Sequence, residues 1–271
     1  MLRYQSIICH PFGEDLRCRF LGDRHLKVSM KDDECIIRPR KTGTDPVIGQ
    51  DALMALIPQD LEYLVRLYAG REQTCHDLGF FRIHRVVTGT AVLPLCGPFV
   101  GAPQAVMGLE KIIALGANRL WVLGWCGSLQ SFLRVGDLVI PTSAIAEEGT
   151  SLHYPTLSEA PHTDHELSLI LQEALRKNGE ICTTGKVWTT DAPYRETRRK
   201  VKSYQDEGVL AVEMEMSALM TVAEYRGVKL AALLVVSDEL FTLKWRAGFK
   251  NPVFNSKREL AARSLLGLLG G

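Results

Sequence analysis

The chain reads as an α/β fold, and three observations point there. Short apolar runs such as Val209–Val212 and Leu230–Val236 alternate with segments whose apolar residues repeat at helical spacing. Glycine turns separate the two kinds of segment, most clearly between Gly97 and Gly116. Two of the apolar runs end in polar pairs, Glu213 with Glu215 and Ser237 with Asp238. In an open α/β sheet the ligand crevice lies beyond such strand ends.

Length and composition bound the rest. A chain of 271 residues with 46 % apolar and 23 % charged side chains suits one large α/β domain spanning 1–271. A net charge of +1 gives no reason to expect nucleic acid. No run of eighteen apolar residues suggests a membrane span. The N-terminal stretch lacks the apolar core and cleavage site of a signal peptide. Seven cysteines without a CxxC pair read as reduced thiols, which implies a cytoplasmic protein.

Residues 1–37 carry short alternating runs, Ser6–Cys9, Leu16–Phe20, Leu26–Met30 and Cys35–Ile37, and form a candidate strand-rich extension. Arg38, Arg40 and Lys41 beside Gly43 make a basic turn, which is either an anion site or a solvated loop. Residues 51–57 and 59–67 are predicted helical, with Pro58 at a start or kink. Phe80–Val87 and Ala91–Leu95 are predicted strands around Gly89. Pro103 opens a helix whose apolar face is Val106, Leu109, Ile112 and Ile113, and Gly116 closes it. Leu120–Leu123 and Leu138–Ile140 are predicted strands.

Glu147 and Glu148 are adjacent acids, which on an extended chain point apart. Thr163 with Glu166 forms a capping-box pattern ahead of a helix that Gly179 ends. His162 and His165 at i, i+3 read as a surface pair at that cap rather than a metal site. Ile181–Thr189 is a predicted strand leading into TTDAPYRET, where Tyr194 is a stacking candidate and Arg195 a donor candidate. After Asp238, the stretch 241–254 reads as an irregular lid, and Ser256 with Glu259 as the cap of a last helix through Leu269.

The stretch Gly208–Leu219 organises the whole. Its acids sit either at the end of a buried strand, lining a cleft, or at the start of a helix, whose dipole suits them. A carboxylate in a cleft can accept from two hydroxyls of one sugar. The order of Val-Glu-Met-Glu at 212–215, a helix, a strand, then Ser237-Asp238 resembles the nucleoside phosphorylase and nucleosidase superfamily. Gly101, Pro103, Gly124, Gly127 and Asp137 match the family's glycine block, and Glu147–Pro155 resembles a stretch of uridine phosphorylases. The resemblance covers roughly residues 86 to 245.

The resemblance implies a single α/β domain built on a mixed, partly barrel-like sheet flanked by helices. It implies cleavage of the N-glycosidic bond of a purine or pyrimidine nucleoside by phosphate, giving free base and pentose 1-phosphate. Met214 and Glu215 would hold the ribose, Asp238 would protonate the leaving base, and Thr142, Tyr194, Arg195 and Glu213 would contact it. Two family phosphate contacts are replaced here, a serine by Trp125 and an arginine by Val122. Arg38, Arg40, Gly101, Gly127 and the Trp125 indole remain as phosphate candidates. A nucleosidase using water, or a nucleoside-binding protein without turnover, stands as the alternative. No metal or organic cofactor is implied; the partners are nucleoside, inorganic phosphate and further copies of the chain.

Overall fold

The structure is a computed structural model that describes residues 35–68, 73–88, 91–155, 158 and 160–270. The chain divides into two compact units, Met1–Arg38 and Pro39–Gly271. The strands expected between Ser6 and Met30 lie outside the described residues. Residues 35–37 form an exposed bend rather than a strand.

The second unit alternates strands and helices. In order they are β1 (Asp51–Ala55), α1 (Pro58–Arg66), β2 (Gln73–Asp77), β3 (Arg82–Thr88), β4 (Ala91–Gly97), α2 (Ala102–Ala114), β5 (Arg119–Ser128) and β6 (Leu138–Glu147). There follow α3 (His165–Lys177), β7 (Cys182–Thr190), α4 (Arg198–Asp206), β8 (Ala211–Glu213), α5 (Met216–Arg226), β9 (Lys229–Glu239), β10 (Arg246–Ala247) and α6 (Pro252–Gly270).

One mixed sheet takes all ten strands in the order β10-β9-β6-β7-β8-β5-β1-β4-β3-β2, and β9 also pairs with β5. That extra pairing closes β5, β8, β7, β6 and β9 into a barrel, with β1 to β4 as an extension. Closure removes the free edges that a sheet otherwise exposes. The central strands are buried on both faces, with side chains alternating between two cores. Val122, Cys126, Leu234 and Val236 face α2 and α5, whereas Trp121, Leu123, Leu233 and Val235 face α1, α3 and α6.

Local readings shift in three places. Residues 51–55 are a strand, not a helix, because β1 lies between β4 and β5 and pairs parallel with both. A short run apolar on both faces looks alike in either structure, and only pairing decides. The cap of α3 is Asp164, whose side chain accepts from the Leu167 N–H at 2.9 Å, while Thr163 is buried and donates to the Pro141 carbonyl at 2.9 Å. The last helix starts at Pro252, where the Asn251 side chain accepts from the Val253 N–H at 2.9 Å.

Candidate active site

Four strand ends converge. Gly127 on β5 lies opposite Val212 on β8 and Asp238 on β9, and Thr189 on β7 lies opposite Glu213 on β8. Gly127 has no room for a side chain: a Cβ would stand 2.6 Å from Leu240 Cδ1 and 2.9 Å from Asp238 Oδ2. The glycine thus lets β5 pass directly behind the Asp238 carboxyl.

Three buried carboxylates cluster where β8 turns into α5. Glu213 Oε2 accepts from the N–H groups of Glu215 and Met216 at 2.6 and 2.7 Å, and Thr189 Oγ1 donates to its other oxygen. The Glu215 carboxyl accepts from the Gly101 N–H at 2.6 Å. Glu148 accepts from the Ser217 hydroxyl at 2.9 Å, the Thr150 N–H at 2.5 Å and the Ser151 hydroxyl. These donors are neutral, so the negative charge is solvated by dipoles and not cancelled by a cation. Burial raises the pKa of both Glu213 and Glu215, and each glutamate's neighbouring acid adds to the rise.

Gly101 fits its post for a conformational reason. It precedes α2 at φ 79°, a region that a side-chain-bearing residue enters only with strain, and a Cβ there would meet open space.

Asp238, half-buried, lies on β9 opposite Gly127. Ser237 Oγ donates to its Oδ1 at 2.7 Å and Trp245 Nε1 donates to its Oδ2 at 2.9 Å. Burial lifts its pKa above the ordinary carboxyl range, while those two donors pull it down. Glu196, just before α4, is raised to about 7 by burial and by the charge of Asp238. Trp245 reaches Asp238 because the chain after β9 is ordered: β10 folds back on β9 with Ala247 opposite Asp238.

The structure brings together Glu213, Met214, Glu215, Gly101, Gly127 and Asp238. Thr142 does not join them: it lies at a bulge in β6, exposed, five residues before Glu147 and roughly 16 Å along the strand. Tyr194 is fully exposed and Arg195 is exposed, on a short 3₁₀ turn. Arg38 belongs to the first unit, where it donates to the Cys35 carbonyl at 3.3 Å. Among the described residues the basic turn precedes β1, and the Arg40 carbonyl accepts from Lys111 at 2.8 Å. The Trp125 donor is already spent: its indole N–H bonds Asp60 at 2.8 Å, and its ring packs edge-on against Phe254.

Glu147 and Glu148 do point apart. Glu147 pairs with Lys200 at 2.6 Å and accepts from Trp188, whereas Glu148 turns inward to Ser217. Sequence reasoning missed Thr189, Ser217, Glu196 and the contact of Trp245 with Asp238. Glu196 could have been noticed as the acid of the loop that already contained Tyr194 and Arg195. Nothing local marks the other three.

Known proteins resemble the chain in sequence and in fold. The sequence model described as the phosphorylase superfamily matches residues 51–266. A guanosine phosphorylase of Halorubrum lacusprofundi is 31 % identical over 190 residues, 69 % of this chain and 78 % of that protein. A DeoD-type purine nucleoside phosphorylase of Bacillus cytotoxicus is 32 % identical over 229 residues, 80 % of this chain and 95 % of that protein. In fold, uridine phosphorylase from Vibrio fischeri matches with a TM-score of 0.72 at 22 % identity, covering 82 % of this chain and 92 % of that one. Purine nucleoside phosphorylase from Toxoplasma gondii matches with a TM-score of 0.73 at 18 % identity, covering 82 % and 90 %.

Proposed function

The chain belongs to the phosphorylase superfamily, and from that premise we propose that it is a nucleoside phosphorylase, a pentosyltransferase that passes the pentose of a nucleoside to phosphate. The observation that carries this reading is the convergence of the β8 and β9 ends at Gly127, which lies opposite both Val212 and Asp238. Glu215 is held by the Gly101 N–H just beyond β8, and Asp238 is half-buried on β9.

Cleavage of the bond passes through a cation-like sugar. Glu215 accepts from the ribose hydroxyls and orients the ring, with Met214 beside it. Glu148, Glu213 and Glu215 have no cationic partner among the described residues, and in their ionised forms they favour developing positive charge on the sugar. Asp238 gives its proton to the departing base, because burial favours the protonated form until the base needs it. Glu196, near Asp238, meets the base edge. Chemistry of this kind asks for no metal or organic cofactor, and phosphate is the co-substrate.

A second reading, hydrolysis by water, rests on a specific observation. The side chains at the family's phosphate positions supply nothing here: Val122 is apolar and buried, and the Trp125 N–H is committed to Asp60. The Gly101 N–H is likewise taken by Glu215. Product analysis separates the readings. Phosphorolysis gives pentose 1-phosphate only when phosphate is present; free pentose at the same rate without phosphate makes the protein a nucleosidase. No cleavage across a purine and pyrimidine nucleoside panel would leave a binding protein. We also propose that copies associate, since Val100, Met107 and Leu152 expose apolar surface. A monomeric mass by light scattering at micromolar concentration would count against association.

A further inference from the structure

We propose that Trp245 gates Asp238: with the cleft empty, its indole N–H occupies the carboxylate oxygen that a nucleobase takes, and an arriving base displaces it. The inference rests on the proposed cleavage of nucleosides. Three observations carry it. Trp245 Nε1 donates to Asp238 Oδ2 at 2.9 Å, yet its ring is 66 % exposed, so little packing holds the side chain there. The residue rides on a hairpin in which β10 contributes only Arg246 and Ala247 to pairing with β9. The hairpin has an aromatic footing: Trp245 lies 6.3 Å from Phe249, and Phe249 lies 6.0 Å from Trp125.

That footing gives Trp125 a role. Its N–H bonds Asp60, which Arg258 of α6 neutralises at 2.8 Å, and its ring packs against Phe254. Trp125 is therefore a fixed post under Phe249, and Trp245 is the exposed end of the same aromatic row. A swing of one side chain at that end leaves the rest packed.

The proton balance follows. An indole N–H can only donate, so its bond to Asp238 favours the ionised carboxylate. When a base pushes the indole away, Asp238 keeps burial and the Ser237 hydroxyl. Burial dominates, and the carboxyl takes up a proton from solvent. That proton passes to a ring nitrogen of the base as the glycosidic bond breaks, its electron pair leaves with the base, and a phosphate oxygen bonds the anomeric carbon of the pentose. Asp238 is ionised again when the base departs, and Trp245 returns to it. Glu196 before α4 and Cys126 on β5 are titratable groups that feel the charge of Asp238, and Arg246 on β10, beside Trp245, is paired with Glu239 at 3.5 Å.

The test is Trp245→Phe, which keeps a ring and removes the donor. The pH dependence of kcat/KM reports the free enzyme and that of kcat the substrate complex. Removing a hydrogen bond to the ionised form should move the alkaline limb of kcat/KM up by about one pH unit. The limb of kcat should stay in place, because the indole has already left in the complex. Equal shifts of both limbs, or none in either, would overturn the gate. In the ligand-free protein, tryptophan fluorescence should titrate with Asp238, and the transition should vanish in both Trp245→Phe and Asp238→Asn. Persistence of that transition in Trp245→Phe also overturns the gate. Wild-type protein that cleaves no nucleoside would defeat the proposed function instead, and the fluorescence titration would still decide the gate.

Discussion

The backbone N–H of Gly101 donates to the Glu215 carboxyl at 2.6 Å, across 114 positions of sequence. It joins the turn before α2 to the start of α5 and holds the proposed ribose ligand in place without a cation. Glu215→Gln keeps an oxygen for that N–H and loses the charge. Turnover should fall by about a hundred-fold or more, while the fold persists. Unchanged kinetics in a folded variant would remove Glu215 from the site.

Asp238→Asn should retain nucleoside binding and lose about a hundred-fold in rate, since the acid is gone and the shape is kept. In the wild type, activity should decline on the alkaline side as Asp238 loses its proton. Burial places that decline above the ordinary carboxyl range. Steady-state kinetics from pH 5 to 9 would show it, and a near-normal rate in the Asn variant would give the role to another group.

Gly127→Ala should act on the same acid from behind. The added methyl would meet Leu240 Cδ1, Asp238 Oδ2 and Val212 Cγ1 at 2.6, 2.9 and 3.3 Å. Overpacking of this kind costs about 1–3 kcal/mol. Unfolding in urea should show that loss, with kcat falling more than KM rises.

Glu196→Gln should change which base is preferred. A carboxylate only accepts, whereas an amide both donates and accepts. Bases that present a ring N–H should lose about ten-fold in kcat/KM, and bases that present an acceptor there should not. Comparing inosine with adenosine, and uridine with cytidine, measures this; an equal loss on all four would mean that Glu196 serves only the loop.

Stability should fall as pH rises. Glu213 and Glu215 hold protons to higher pH in the folded protein than in the unfolded chain. Between the ordinary carboxyl range and their raised native values the native state binds more protons, so unfolding becomes easier as pH climbs. Their contribution is complete below about pH 4 and lost through neutrality. Thermal melts of ligand-free protein from pH 5 to 8 should show the decline, and Glu215→Gln should flatten it.

What the sequence determined by itself was the alternation of elements and the acids at the strand ends. Burial leaves its mark locally: Leu230–Val236 has no polar residue, so Ser237 and Asp238 stand out as the polar end of an apolar run. Gly208–Leu219 likewise showed Glu213 and Glu215 at a boundary between apolar runs. Tertiary structure decided what depends on partners distant in sequence. Residues 51–55 became a strand because β4 and β5 flank them, and no pattern within so short a run encodes that. Trp125 turned to Asp60, 65 positions away, and lost its place among the phosphate candidates. Thr142 was separated from the cleft by the geometry of a single strand, since each residue of extended chain carries it about 3.3 Å further. Trp245 met Asp238 because a short hairpin closed, and hairpin pairing is a property of two strands together, not of either alone.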